Sequence, residues 1–251
     1  MSPIETRPVL GYPIAVIDYR SAVAWIAERG LARDRAYAVE AANTHVLALA
    51  RHDEEFGAAM RKFDLICPDG QPLVWSVNAQ LPEVEKLTDR VYGPTLMEKT
   101  LHGEGQAKDL RHFFLGGKED TLTNLREHFS DRNISGTYSP PFGEWPADEF
   151  EKIVTLIRDS GAHCVWVGLG CPKQELWIAK HLHELPPAVY FGIGAAFAFH
   201  AGEVRQAPAF IQKFGLEWLF RLAMEPKRLF KRYLVYNSLF LFHTFRDHIR
   251  G

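Results

Sequence analysis

Residues 164–175, Cys-Val-Trp-Val-Gly-Leu-Gly-Cys-Pro-Lys-Gln-Glu, constrain this chain more than any other stretch. Four apolar residues run into Gly168 and Gly170, Pro172 stands where a first helical turn begins, and Leu176, Trp177, Ala179 and Lys180 continue at helical spacing. The pattern predicts a buried strand, a glycine turn and a helix. Such a turn leaves backbone N–H groups unpaired at a helix N-terminus and lets a ligand approach closely, which is how many α/β proteins hold phosphate. Lys173 adds a cation there, and Gln174 and Glu175 add polar groups. The same residues also suit a tight turn with no ligand, and glycine patterning alone does not separate the two.

A dinucleotide-binding reading is weak. Its third glycine is replaced by Lys173, and the residues about twenty positions on, Ala188 to Gly192, offer no acid for a ribose. Gly-Lys-Ser/Thr occurs nowhere, which removes a P-loop.

The chain in order alternates strand-like and helix-like segments. Pro13–Ile17, Tyr37–Ala42, Asp64–Cys67, Phe113–Leu115, Cys164–Val167 and Val189–Ile193 read as strands. Ser21–Glu28 (closed by Gly30), Val46–Ala50, Glu54–Phe63, Pro72–Val77, Asp120–Phe129 and Asp148–Asp159 read as helices. Gly136–Phe142 reads as a loop after a strand. The fold class is α/β: a Rossmann-like, mostly parallel sheet with helices on both faces. The expected division is a catalytic core over 1–206 and a helical appendage over 207–251. Residues 221–251 carry seven basic and two acidic side chains, interleaved with aromatics and leucines. That suits an anionic membrane surface, and equally a helical pair packed on the core.

A net charge of -2 argues against a protein dominated by nucleic-acid contacts. Cys67, Cys164 and Cys171 stand in unlike contexts with no Cys-x-x-Cys, so neither a disulfide framework nor a zinc site is indicated, and a reducing cytoplasm fits best. The first ten residues resemble no export signal, and no run of about eighteen uncharged apolar residues occurs.

Asp69, in a Pro-Asp-Gly turn at a strand's C-terminal end, is the first candidate for proton abstraction, though such turns also take Asp for their own geometry. Asn43 ends the neighbouring strand, where it can meet a sugar or cap a helix; Thr44 shares the capping role, and Glu40 is a second base candidate. Gly192 to Phe197, with Gly194 at its centre, is another turn of small residues. The chain has no Asp-x-Asp and no His-Glu-x-x-His, and His181 and His183 read as helix-end decoration. Any diphosphate charge must then be met by backbone N–H groups and by Lys173, Arg90 and Arg205.

Taken together, Asn43, Pro68-Asp69-Gly70, Arg90 with Gly93, Phe114-Leu115-Gly116-Gly117, Pro140-Pro141-Phe142, the 167–175 turn, Gly192–Phe197, Arg205 to Pro208, Gly215-Leu216-Glu217-Trp218-Leu219-Phe220-Arg221 and Glu225-Pro226-x-Arg228-Leu229 resemble the WecG/TagA/CpsF glycosyltransferases. The resemblance runs from about Gly11 to Tyr233. It implies an inverting, metal-independent hexosyltransferase with no cofactor, moving a sugar from a UDP-sugar donor to a polyprenyl-diphosphate-linked glycan acceptor. The implied location is the cytoplasm, peripheral at the inner face of a bacterial plasma membrane. Asp69 falls where the family places its proposed base. Asn43 and Gln174 fall on positions lining its sugar-nucleotide pocket, and Arg221, Arg228 and Lys231 fall in its lipid-diphosphate-reading appendage. Two positions depart from the family: Ala41 stands where Thr is common, and Lys231 where Arg is common, with loss of a bidentate phosphate contact. Competing classes are an NAD(P)-dependent oxidoreductase, disfavoured by the glycine pattern, and a non-catalytic nucleotide-sugar or membrane-binding module, which would not need Asp69.

Overall fold

The computed structural model describes residues 3–103, 105–208, 211 and 217–250, with backbone alone at 105–106, 228, 231–233 and 248–250. Six parallel strands form the central sheet: β3 (Tyr37–Ala42), β4 (Leu65–Pro68), β5 (His112–Gly116), β6 (Ile134–Tyr138), β7 (Cys164–Gly168) and β8 (Val189–Phe191). Their order is β4-β3-β8-β7-β5-β6. The central strands are buried along their whole length and mostly apolar, with Glu40 in β3 and His112 in β5 as exceptions, because both faces are covered. Trp166 and Phe191, on neighbouring strands, stack with centroids 3.9 Å apart and no exposure.

One face is packed by α2 (Thr44–His52), α3 (Glu54–Met60), α4 (Gln71–Asn78), α7 (Glu149–Ser160) and α8 (Lys173–His181). The other is packed by α1 (Tyr19–Ala32), α5 (Gly93–Leu101), α6 (Glu119–His128) and α9 (Ala195–His200). This division fixes where a ligand fits. From β5 the chain leaves through α6 on one face toward β6, and from β7 through α8 on the opposite face toward β8. The connections part between β5 and β7, and the crevice outside the carboxyl ends of such strands is where open α/β sheets bind ligands.

Several boundaries differ from the sequence reading. Pro13–Ile17 is not a strand of the main sheet. Instead β1 (Thr6–Val9) and β2 (Tyr12–Ala15) form an antiparallel hairpin, turned through Leu10 (φ 50) and Gly11 (φ 84), as a two-residue hairpin loop requires. Gly30 does not close α1. A side chain there would meet the His163 carbonyl at 3.2 Å, so Gly30 serves close packing, and the helix ends at left-handed Arg33. Gly136 lies inside β6 because Phe113 covers it, where a side chain would meet the ring at 2.6 Å.

The appendage contains α10 (Glu217–Met224) and α11 (Pro226–Arg250). It has two distinct faces. Tyr236 meets His45 edge-on at 4.5 Å, the Thr44 hydroxyl donates to Asn237 Oδ1 at 2.6 Å, and His243 meets His52 at 2.8 Å, which seats α11 along α2. Leu229 and Phe240 of the same helix are buried, Phe240 against the core. On the other side Phe230, Leu234, Leu241 and Phe245 are all more than half exposed, recurring at helical spacing. Among the described residues no helix is long and apolar enough to cross a membrane.

Candidate active site

Asp69 follows β4 directly. Its N–H donates to Ala42 C=O at 2.8 Å and the Val91 N–H donates to Pro68 C=O at 2.9 Å, so the Pro-Asp-Gly turn is clamped from both sides. The Gly93 N–H donates to Asp69 Oδ1 at 2.8 Å, and the Asn43 side chain hydrogen-bonds the same carboxyl. Gly93 is needed for this approach: a side chain there would meet Ile193 Cγ2 at 2.7 Å and Ala41 Cβ at 3.3 Å. Ala41, standing where the family resemblance leads one to expect Thr, therefore packs against the residue that holds the Asp69 carboxylate. Thr44 points its hydroxyl toward α11 instead.

Asn43 has two functions at once. Its Oδ1 accepts from the His45 and Val46 N–H groups, capping α2, while its amide serves Asp69. Of the two roles open in the sequence the helix cap is realised, and the amide lies beside Asp69 in the cleft.

A cleft of about 400 Å³ opens over Asp69, lined by Asn43, Thr44, Arg90, Tyr92, Glu217 and Arg221, with Trp75, Trp218 and Phe240 as apolar walls. Burial drives the Asp69 carboxyl up to about 6, against the opposing pull of Arg90, the Gly93 N–H and Asn43 and with the help of Glu217. A carboxylate in that range is suited to take a proton near neutral pH. Arg90 bridges Glu217 on α10 and, through Nη1, the Asp69 carbonyl at 3.4 Å. Arg221 lies 5.3 Å over the Phe199 ring, its Nε buried with no hydrogen-bond partner among the described residues.

A second cleft, of about 710 Å³, lies at the β5–β7 parting, lined by Gly116, Gly117, Ser139 to Gly143, Gly168 and Lys173. Gly116 (φ 100), Gly117 (φ 78) and Gly170 (φ 82) turn both strands outward through conformations that L side chains rarely adopt. Lys173 is exposed, with Nζ 6.0 Å from the Phe142 ring.

The other sequence candidates fall elsewhere. Gln174 and Glu175, expected at the pocket, turn inward. Gln174 Nε2 donates to Glu175 Oε1 at 2.8 Å and to Gly192 C=O at 2.7 Å, and its Oε1 accepts the Gly170 N–H at 3.1 Å. They brace the turn from beneath and line neither cleft. Gly194 also lines neither; a side chain there would run into Gln174 Oε1. Glu40 is buried under Gly192, and burial with Glu175 and Asp69 beside it pushes its carboxyl well up. That removes it from contact with either cleft. Arg205 is exposed and lines neither. The side chains of Arg228 and Lys231 lie outside the described residues.

Sequence reasoning missed Tyr92, Trp75 and Asn237 altogether and singled out Glu217 only as part of a motif. Trp75 had a usable signal: Leu73, Val74 and Val77 form the buried face of α4, and Trp75 stands off it at 60 % exposure. For Glu217 the signal was a lone acid at the head of an aromatic and basic helix.

Among the described residues no three His, Cys, Asp or Glu side chains converge as metal ligands. The family model for the glycosyl transferase WecG/TagA/CpsF family matches residues 7–251. With a match over nearly its whole length, the chain belongs to the WecG/TagA/CpsF family of glycosyl transferases, enzymes of cell-surface polymer biosynthesis.

Proposed function

We propose that the protein is an inverting glycosyltransferase that moves a hexose from a UDP-sugar to a glycan carried on polyprenyl diphosphate. The observation that carries this reading is Asp69, a half-buried carboxyl held up near 6, in a cleft it shares with Arg90 and Arg221. Asp69 takes the proton of the acceptor hydroxyl as that oxygen bonds to the sugar's anomeric carbon from the face opposite the leaving group. The bond from that carbon to the diphosphate oxygen breaks, and its electron pair leaves with UDP. Backside attack inverts the anomeric configuration.

The donor's nucleoside end fits the glycine-turn cleft, with the parting of β5 and β7 behind it and Lys173 at the edge from which the diphosphate runs on toward Asp69. Strand spacing separates the ends of β7 and β4 by three intervals, about 14 Å, a span one extended nucleotide-sugar can bridge. The departing charge is met by Arg and Lys side chains and backbone N–H groups, so no divalent ion is required. The acceptor's lipid arrives from an anionic membrane at the cytoplasmic face, with the exposed apolar stripe of α11 against the bilayer and basic residues at its flanks.

Replacing Asp69 by Asn tests this. The amide keeps the shape and cannot take the proton, so UDP affinity stays within a few-fold while transfer falls about 10²–10⁴-fold. Retention of more than about a tenth of the rate would reassign the base.

A further inference from the structure

Glu217 reaches the Asp69 cleft from α10, outside the strand ends that carry Asp69 and Asn43. Both its oxygens are engaged: Oε1 accepts from the Tyr92 hydroxyl at 2.5 Å, and Oε2 pairs with Arg90. The Glu217 and Arg90 side chains are only 7 % and 11 % exposed. Burying two charges costs so much desolvation that an apolar pair of similar volume would hold α10 to the core as well or better. As adhesive the pair is therefore poor, and its value lies in what stands beside it.

We infer that Glu217 is a positioning residue for transfer: it fixes the Arg90 guanidinium against the Asp69 turn and balances its charge beside the carboxylate that takes the acceptor's proton. The inference rests on Asp69 being the base.

The charges around Asp69 support the assignment. From β3, Glu40 is pushed toward its neutral form by burial. From β4, burial pushes the Cys67 thiol up; from α1, it pushes Tyr19 up to about 12; before α5, burial and then Glu217 push Tyr92 up. The Cys67 thiol and both tyrosines are uncharged near pH 6, and burial shifts Glu40 toward its neutral form. Of the charged side chains that line the cleft with Asp69, which are Arg90, Arg221 and Glu217, Arg90 draws its carboxyl down and Glu217 pushes it up. Without Glu217, the pull of Arg90 on the carboxylate would be opposed by burial and no longer by a facing carboxylate. The base would ionise at lower pH and accept a proton less readily.

The test is the pH profile of transfer by the full chain. It is measured as UDP release from UDP-glucose, UDP-N-acetylmannosamine and UDP-N-acetylmannosaminuronic acid, with a detergent-dispersed polyprenyl-diphosphate-linked N-acetylhexosamine as acceptor. In Glu217→Gln the acid limb moves to lower pH and the plateau rate falls about tenfold or more. Glu217→Asp keeps the charge but withdraws it, and gives a smaller shift in the same direction; it decides the question should the glutamine variant fail to fold by circular dichroism. A merely structural role would lower the plateau and leave the limb in place, and an unmoved limb overturns the inference. Asp69→Asn separates the two claims. If it keeps the rate and the limb, the base lies elsewhere and both readings fall. If it is inactive while Glu217→Gln titrates like the wild type, only the Glu217 assignment falls.

Discussion

Asp69 owes its chemistry to competing neighbours. Burial alone would raise its carboxyl further; Arg90, the Gly93 N–H and Asn43 bring it back to about 6. Since a base works only when ionised, transfer by the wild type should fall as pH drops through about 6 and level off above it. A flat profile between pH 5 and pH 7.5 would remove Asp69 from the chemical step. Asn43→Ala separates two contributions. It loses the α2 cap, at about 0.5–2 kcal/mol of stability, and it frees the Asp69 carboxyl of a hydrogen bond, moving the acid limb to higher pH. Asp69 was legible in the sequence because a Pro-Asp-Gly turn after a short apolar run places its carboxylate at the ligand edge of a parallel sheet. Gln174 and Glu175 were not. Polar residues at a helix start read as ligand groups, and only the fold reveals that they satisfy one another and the Gly170 and Gly192 backbone.

The elements around the site divide into glycine turns in left-handed conformations and a C-terminal helix with two unlike faces. At Gly116 an added methyl would stand 2.7 Å from the backbone of Gly168 in a left-handed conformation, whereas at Gly170 the space is open and the backbone conformation is the main cost. Gly116→Ala should therefore destabilise by more than the roughly 1–3 kcal/mol of backbone strain expected for Gly170→Ala. Thermal unfolding checks the order, at about 2–4 °C per kcal/mol for a chain of this size; equal losses would contradict the packing account. On α11, Phe240→Ala should cost about 3–5 kcal/mol, because the ring is buried against the core. Changing Phe230, Leu241 and Phe245 to Ser should leave the melting temperature almost unchanged and release the protein from anionic vesicles in a sedimentation assay. Vesicle binding that survives the triple change would place the membrane contact elsewhere. The sequence left the aromatic stripe open between core and membrane; the core reading holds for the side that carries Phe240, and the vesicle assay decides it for the exposed side. The boundary at 207 cuts the chain by composition, yet Glu217, Asn237 and Phe240 all enter the Asp69 cleft.

At the scale of the molecule, a single edge of the sheet carries the two clefts in the order β4, β3, β8, β7, β5, from Asp69 to the glycine turns. The alternation of strands and helices was enough to predict that such an edge exists. Strand order was not available from it, so the separation of the 164–175 turn from Asp69 into two clefts appears only in the fold. A donor lying along this edge would bring its sugar toward Asp69 and leave the α10–α11 side for the lipid-linked acceptor. The most direct test is the purified full chain, treated with EDTA and mixed with a radiolabelled UDP-hexose and a polyprenyl-diphosphate-linked N-acetylhexosamine in anionic vesicles. The anomeric configuration of any labelled lipid product is then read by NMR on an unlabelled parallel. The expected result is transfer undiminished by EDTA, giving a lipid-linked product of inverted configuration. Transfer that needs Mn²⁺ or Mg²⁺, or a product that retains the donor's configuration, would contradict an Asp69-driven displacement.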